Sequence, residues 1–212
     1  MRKIIPFTLL FCICFITINQ AQTKSKPLVG GSCDGCDWMF LGMPKAMNAV
    51  DTCAGWNEKG TSRIQITGTV YQRDGKTPAP NVIVYYYHTD IHGKYTPNSS
   101  VPKGAERHGY LRGWVKSDQA GHYSIFTIRP ASYPGTDFLA HIHVFIKEPK
   151  LNKPYYIDEF LFDDDPLMTP ERRKGHANRG GNGILTLVKK GNGLWVAKHD
   201  IMLGLNIPNY PR

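Results

Sequence analysis

The sequence has no apolar run long enough to cross a bilayer as a helix, which takes about 20 residues. Its longest apolar run covers residues 4–18, directly after Arg2 and Lys3. A basic start, a short apolar stretch and the polar residues 19–22 are typical of a secretory signal. We therefore expect residues 1–22 to be a signal peptide and the rest of the chain to be exported, to the periplasm or the extracellular space, without stable membrane insertion.

Cysteine is scarce beyond that segment, where only Cys33, Cys36 and Cys53 occur. A zinc or redox site built on the Cys33 and Cys36 spacing would call for a second CxxC motif or a nearby pair of histidines, and the sequence has neither. Export favours disulfides instead. We expect one bridge, from Cys33 or Cys36 to Cys53, which would pin the N-terminal arm and leave one free thiol.

Long clusters of one charge are absent as well, although the chain has a formal net charge of +9. The longest basic clusters are residues 172–174 and 189–190, which give little support to nucleic-acid binding. The sequence shows no internal repeat and no low-complexity segment. The roughly 190 residues after the signal segment are enough for one domain with a sizeable core.

Helix-periodic stretches are few, and short alternating or β-branched runs separated by turn residues take their place. This pattern predicts an all-β fold, an antiparallel β-sandwich of about seven to eight strands with long loops and little helix. One short helix is expected within residues 166–174, with Thr169 as N-cap and Pro170 at its first position. The predicted strands are residues 64–71, 81–88, 110–116, 122–128, 144–146, 155–162, 184–190 and 194–203.

The composition changes near residue 60. Residues 23–60 are rich in Gly, Lys, Asp and Cys and predict an irregular N-terminal arm, whereas residues 61–212 predict the sandwich domain. A long Gly, Pro, Ser and Asn connection covers residues 90–109. Long ordered loops of this kind are often functional, so the connection is a place to look for a site.

His141 and His143 are the first candidate ligands. Side chains alternate along a strand, so these two point to the same face, about 7 Å apart at a rise of roughly 3.3 Å per residue. Alternating histidines also occur on solvent-facing strands, so the pair by itself is a weak signal. Tyr133 lies one turn upstream, and Tyr95 lies in the long connection.

The loops at one end of a sandwich meet in space, which would bring Tyr95 to Tyr133 and the two histidines. Two phenolates and two imidazoles make a hard O/N donor set that suits Fe(III), whereas structural zinc sites more commonly use thiolates. An ordinary tyrosine has a pKa near 10, so a metal ion would be needed to keep these two ionised.

Several segments of the chain, in their order, resemble the intradiol ring-cleavage dioxygenases, including catechol and protocatechuate dioxygenases and their exported single-domain relatives. The resemblance covers residues 64–168 and depends on the combination of the motifs rather than on any one of them. The segments read HTDIHGKY, LRGWVKSDQAGHYSIFTIRPASYPG, AHIHVFI and FLFDDDPL.

The resemblance implies a non-haem Fe(III) site with Tyr95, Tyr133, His141 and His143 as ligands. It also implies a small aromatic diol and O2 as substrates. The catechol would bind as a dianion and displace a tyrosinate, most simply Tyr133, which would then act as the catalytic base. The ring would open between its two hydroxylated carbons to a muconate-type diacid.

The chain departs from the family pattern on the substrate side. An arginine common shortly before the His-x-His pair is replaced by residues 138–140, which read Phe-Leu-Ala, and a common glutamine aligns with Glu159. Glu159 and Arg129 are weak candidates for substrate binding. The departures, with a Gly-x-Val and Pro-x-Pro pattern over residues 68–84, keep open a noncatalytic transthyretin-like module. A zinc hydrolase or lyase in the same pocket and a homo-oligomer also stay open.

Overall fold

The computed structural model describes residues 27–211, so the predicted signal peptide lies outside the described residues. The chain forms two six-stranded sheets that face each other as a β-sandwich, which confirms the predicted fold class. None of the helices within residues 27–211 is both long and apolar enough to span a membrane.

Within residues 27–211, twelve strands make up the sandwich. The first sheet has the order β1-β5-β2-β11-β10 with β12 beside β2, and the second has the order β4-β3-β6-β8-β9 with β7 beside β6. The strands are β1 (Val50–Thr52), β2 (Arg63–Tyr71), β3 (Ile83–His88), β4 (Arg112–Lys116), β5 (His122–Ile128), β6 (His141–Lys147), β7 (Tyr155–Tyr156), β8 (Phe160–Phe162), β9 (Ile184–Leu185), β10 (Val188–Lys189), β11 (Trp195–Lys198) and β12 (Ile201–Met202).

The core between the sheets follows from the alternation in the longest strands. In β2, Ile64 and Ile66 are fully buried, and in β6 the side chains of Ile142 and Val144 meet them from the second sheet in one cluster. Burial of each such side chain contributes about 1.5–3 kcal/mol relative to exposure. This core fixes the position of β6. The alternate residues of β6, His141 and His143, point to the other face of the sheet and are therefore held in defined positions.

The outer face of the second sheet is also covered. Met39 and Cys36 of the N-terminal arm pack on Tyr85, Tyr87 and Phe145 in a second buried cluster. Because β3 is buried on both faces, its residues form a nearly continuous aromatic and β-branched run instead of alternating with polar residues. The arm is therefore part of the wall around the start of β6.

The arm is not wholly irregular. It contains a 3-10 helix over Cys36–Phe40 and strand β1, which pairs in parallel with β5. A second 3-10 helix covers Glu106–His108 in the long connection. The predicted short helix is confirmed as α1 (Pro170–Lys174), and the Thr169 hydroxyl accepts a hydrogen bond from the backbone N–H of Arg172 at 3.3 Å.

The expected bridge to Cys53 is wrong. The disulfide joins Cys33 and Cys36, with a Cα–Cα distance of 5.6 Å, and Cys53 is a buried free thiol. Cys53 lies in the core between the sheets, whereas Cys36 packs on the outer face of the second sheet. The second sheet therefore separates Cys53 from the other two cysteines.

The sheets are mixed rather than purely antiparallel. The long central pairs, β2 with β5 and β3 with β6, are antiparallel, but β11 and β12 both run parallel to β2 and β9 runs parallel to β8. The hairpin expected from residues 184–203 is limited to β10 and β11. The alternation of apolar and polar residues indicates which face of a strand is buried, but it does not indicate which strand pairs with it or in which direction.

Candidate metal centre

Strand β6 begins with the two candidate histidines. In the ladder His141 lies opposite Leu161 of β8, and His143 lies opposite Tyr87 of β3, so strands on both sides hold this end of β6. The two imidazole rings point to the same side with centroids 4.6 Å apart, and their Nε2 atoms are 3.2 Å apart.

The two tyrosines reach this point from separate loops. The hydroxyls of Tyr95 and Tyr133 are 2.5 Å apart. The Tyr95 hydroxyl lies 2.9 Å from Nε2 of His143, and the Tyr133 hydroxyl lies 3.0 Å from Nε2 of His141. Four donor atoms from three chain segments therefore face one point, although the ligands span residues 95–143.

Asp90 organises the loop that carries Tyr95. Its carboxylate accepts hydrogen bonds from the backbone N–H groups of His92 and Lys94, at 2.8 and 3.0 Å, and from the Thr96 hydroxyl at 2.7 Å. These bonds hold the Asp90 pKa below its ordinary value, although burial opposes them as the largest single influence. The Asp90 carboxylate therefore holds the chain on both sides of Tyr95 through three hydrogen bonds.

Gly93 brings this loop against the segment that carries Tyr133. Its φ is 71°, and a Cβ atom there would lie 2.0 Å from the backbone oxygen of Ser132. Only glycine fits such a close approach without a shift of the backbone. The Thr89 hydroxyl also donates to the Ala131 carbonyl at 2.6 Å, so the two tyrosine loops are joined directly.

Hydrogen bonds on the far edge of each imidazole define which nitrogen faces the centre. Nδ1 of His141 donates to the Leu139 carbonyl at 2.6 Å, and Nδ1 of His143 donates to Oε1 of Glu159 at 3.0 Å. The lone pair of each neutral ring is then on Nε2, beside the tyrosine hydroxyls. A carbonyl or carboxylate partner of this kind is the usual support for a metal-binding histidine.

Without a cation, the same surroundings favour the neutral forms of Tyr95, Tyr133 and His141. Burial raises the pKa of Tyr95 and of Tyr133 above the ordinary tyrosine value, and burial together with the nearby His143 lowers the pKa of His141. Phenols held neutral in a partly buried cluster bind a metal ion through oxygen once they lose their protons.

The donor set fits a small, hard metal ion. Bonds of about 2 Å in a tetrahedral set would place donors about 3.3 Å apart, and five of the six separations among these four atoms run from 2.5 to 3.5 Å. His141, His143 and Glu159 also form a group whose ligand atoms lie within 4.8 Å of one another. Because Glu159 bonds the Nδ1 edge of His143 and the tyrosines meet Nε2, we assign the site to the two tyrosines and two histidines.

Aromatic rings fix the plane of His143 from the side of β3. The Tyr87 ring stacks on His143 with centroids 4.5 Å apart, and His108 stacks on Tyr87 at 3.7 Å. The Tyr85 hydroxyl in turn contacts Nδ1 of His108 at 2.7 Å. The sequence does not predict this stack, because His108 comes from the short 3-10 helix in the long connection, although Tyr87 stands in the predicted strand that neighbours β6.

Two cavities open beside the centre. The larger, about 440 Å³, lies on the His141 and Glu159 side, and the smaller, about 220 Å³, lies on the Tyr95, Tyr133 and His143 side. Asp34, Trp38, Tyr87, Arg107 and His108 complete the lining of the smaller cavity, so the N-terminal arm contributes part of its wall through Asp34 and Trp38.

The remaining sequence candidates lie in different places. Glu159 lines the larger cavity and bonds His143, as described above. Arg129 makes a two-pronged ion pair with Asp164, at 2.8 and 2.6 Å, and lies over the Phe162 ring; it lines neither of the two cavities. Its assignment to substrate binding stays a prediction, and its contacts are those of a structural pair.

A sequence model of the dioxygenase family matches residues 42–173, the stretch that contains all four donors. This chain belongs to the intradiol ring-cleavage dioxygenase family. The catechol 1,2-dioxygenase of Acinetobacter baylyi is 27% identical over 147 residues, which cover 57% of this chain and 46% of that protein. The chain thus matches less than half the length of this curated relative.

Solved intradiol dioxygenases have the same fold. The dioxygenase domain of a dioxygenase and carbohydrate-binding fusion protein from Streptomyces sp. SirexAA-E is 20% identical, with a TM-score of 0.53 over 76% of this chain and 88% of that one. A point mutant of the Acinetobacter radioresistens catechol 1,2-dioxygenase is 16% identical, with a TM-score of 0.56 over 80% and 61%. Hydroxyquinol 1,2-dioxygenase from Pseudomonas putida DLL-E4 is 18% identical, with a TM-score of 0.53 over 87% and 68%.

Proposed function

We propose that this chain is an exported non-haem Fe(III) enzyme that opens a catechol-type ring between its two hydroxylated carbons. The observation that carries the proposal is the convergence of two phenol oxygens and two Nε2 atoms within 3.5 Å of their neighbours. Membership of the intradiol family supports the same chemistry.

Tyr95, Tyr133, His141 and His143 would hold the iron. Bound there, Fe(III) would keep both tyrosines as phenolates and draw electron density from a catechol so that its ring reacts with O2. The stacked Tyr87 ring and the Glu159 carboxylate keep the His143 imidazole in place, and the Leu139 carbonyl does the same for His141.

Tyr133 is the residue we assign to proton transfer. The loop that follows it, residues 134–138, is exposed, whereas Asp90 bonds the loop around Tyr95 on several sides. The Tyr133 side chain is therefore the freer of the two to leave the cluster when a diol arrives. Its phenolate oxygen then accepts a proton from the incoming hydroxyl, which is general base catalysis by a positioned side chain.

The overall reaction balances without a further reductant. One catechol and one O2 give one muconate-type diacid, because the bond between the hydroxylated carbons breaks and each of these carbons ends as a carboxyl group. Both atoms of O2 enter the product, and the electrons that reduce O2 come from the ring.

Oxygen uptake with product analysis tests this proposal. Iron-loaded protein should consume one O2 per catechol and release one ring-opened diacid, and metal analysis should find about one iron per chain. Bound iron without oxygen uptake on any diol would favour the noncatalytic binding module. Retained zinc with no capacity for iron would favour the hydrolase or lyase reading.

A further inference from the structure

The cavity beside His141 is far larger than one aromatic ring requires. Its volume is about 440 Å³. A cavity of about 150 Å³ is enough to hold benzene, and sites for drug-sized ligands begin at about 300 Å³. Space therefore remains beside a catechol that sits at the metal centre.

One wall of this cavity is apolar. Phe138, Leu139 and Leu161 line it, and Phe138 is the most exposed large apolar side chain among residues 27–211, at 59%. The Phe138 ring also contacts the Tyr133 ring, with centroids 5.6 Å apart. An exposed aromatic ring that touches a metal ligand is available to pack against a substrate group.

The charged side chains that line this cavity include no unpaired Lys or Arg. Arg172 is the only Lys or Arg side chain that lines the cavity, and its guanidinium donates to the backbone carbonyl of Asp137 at 2.5 Å and to the Asp137 carboxylate at 2.7 Å. Glu159 adds a second carboxylate, and its side chain is 44% exposed. His176 also lines the cavity, but its Nε2 atom is buried from solvent.

A carboxylate on the substrate would therefore face Glu159, with the Arg172 guanidinium already paired with Asp137 and only the buried Nε2 atom of His176 left without a partner. In the smaller cavity the two charged side chains, Asp34 and Arg107, have opposite signs and form no ion pair with each other, so a carboxylate placed there would meet one charge of each sign. An apolar group, by contrast, would meet Phe138 and the two leucines and would remove their surface from water.

We infer that the substrate of this site is a catechol with a bulky uncharged substituent and no carboxylate. This inference rests on the proposed function, because it takes the catechol hydroxyls to be held at the metal centre. The substituent lies in the His141 side cavity, against Phe138, and the Glu159 carboxylate disfavours acidic diols.

A panel of three diols tests the inference: catechol, 4-tert-butylcatechol and 3,4-dihydroxybenzoate. The expected kcat/KM, from oxygen uptake, is highest for 4-tert-butylcatechol and about tenfold or more lower for 3,4-dihydroxybenzoate, the range that pocket contacts supply. Phe138→Ala should remove the preference for the tert-butyl group, and Phe138→Arg should raise the relative rate with the acid. Val188→Ala is the matched control, since Val188 is 55% exposed on β10 and lines neither cavity at the centre.

Binding measured without turnover separates the inference from the proposed function. Dissociation constants of the three diols, from tryptophan fluorescence of iron-loaded and iron-free protein under argon, should follow the same order. A preference for 3,4-dihydroxybenzoate, or a Phe138→Ala ranking equal to that of the unmodified chain, would overturn the inference. Ordered binding without ring opening would overturn the proposed activity and leave the ligand preference supported.

Discussion

The metal side and the substrate side of this site are built differently. On the metal side, Tyr95, Tyr133, His141 and His143 stand within 3.5 Å of their neighbours and correspond to the family's ligand motifs. On the substrate side, Phe138 is 59% exposed, and it belongs to residues 138–140, which the resemblance sets against a common family arginine.

This difference indicates which part of the site tolerates amino-acid substitution. Moving one donor by about 1 Å would break a four-atom arrangement that a metal ion requires, so strands β3 and β8 and the Asp90 loop hold the donors from several sides. Nothing among the described residues packs over Phe138 to the same extent, so a substitution there costs little stability. Family membership therefore says more about the chemistry than about the substrate.

The largest expected effect comes from removing a donor. His143→Ala should abolish stoichiometric iron binding and reduce oxygen uptake by about a hundredfold or more, because it removes a donor that would stay on the metal throughout the proposed reaction, and with it the partner of the Tyr95 hydroxyl. Iron content and oxygen uptake on the same preparation measure this. His122→Ala is the control, since His122 lies on β5 with its side chain 64% exposed. Full iron occupancy in His143→Ala would remove this residue from the ligand set.

Tyr133→Phe should have the next largest effect. Tyr133 is the donor that the proposed reaction releases from the metal, so iron should be retained, but the group assigned to proton acceptance is gone and turnover should fall about 10²- to 10⁴-fold. The comparison needs single-turnover rates together with iron content. Tyr71→Phe on β2 provides the control, because Tyr71 is half-buried and remote from the centre in sequence and sheet order. Unchanged turnover would exclude Tyr133 as the base.

Glu159 joins the two sides of the site, and its substitutions should have an intermediate effect on iron affinity. Glu159→Ala removes the acceptor from Nδ1 of His143. Loss of such a partner typically weakens metal binding by about 10- to 100-fold, so the iron affinity of this variant should fall by at least about 10-fold. Glu159→Gln keeps an oxygen acceptor and should recover much of that loss. Chelator competition measures both variants, and equal affinity in all three proteins would show that the contact does not support the metal.

The smallest effect on the site is expected from removing the disulfide of the N-terminal arm, which forms part of the wall of the smaller cavity. Replacing both Cys33 and Cys36 by serine should lower the free energy of unfolding by about 2 kcal/mol, from the short loop that the bridge closes. Iron content should stay the same, since neither cysteine is a donor. Peptide mapping of the unmodified protein should find the Cys33–Cys36 bridge, and Cys53 should react with alkylating agents only after unfolding. A bridge to Cys53 would contradict the structure.

Local sequence signals were sufficient for part of this fold. Alternation located the long strands β2 and β5, a β-branched and aromatic run located β3, and Thr169 followed by Pro170 located α1 within a wider range. Strand pairing was beyond such signals, because a buried face can pack equally well in several sheet positions. This is why the parallel pairing of β11 with β2 was not anticipated.

The site can be divided in the same way, into features that the sequence predicts and features that depend on tertiary packing. The order of the motifs was enough to name four donors, whereas the support around them comes from residues distant in sequence. His108 reaches Tyr87 only because the 3-10 helix of the long loop folds over the second sheet, and the Cys33–Cys36 bridge follows from which face of that sheet the arm covers. Contacts of that kind depend on tertiary packing and leave no local pattern.

The visible spectrum of iron-loaded protein, with and without catechol under argon, tests the central claim most directly. If two tyrosines bind Fe(III), the protein should have a broad visible charge-transfer band, and catechol should shift it as one tyrosinate is replaced. Tyr133→Phe should weaken the band before catechol is added. A colourless protein that takes up no iron, or a band unaffected by loss of either tyrosine, would contradict the proposed centre.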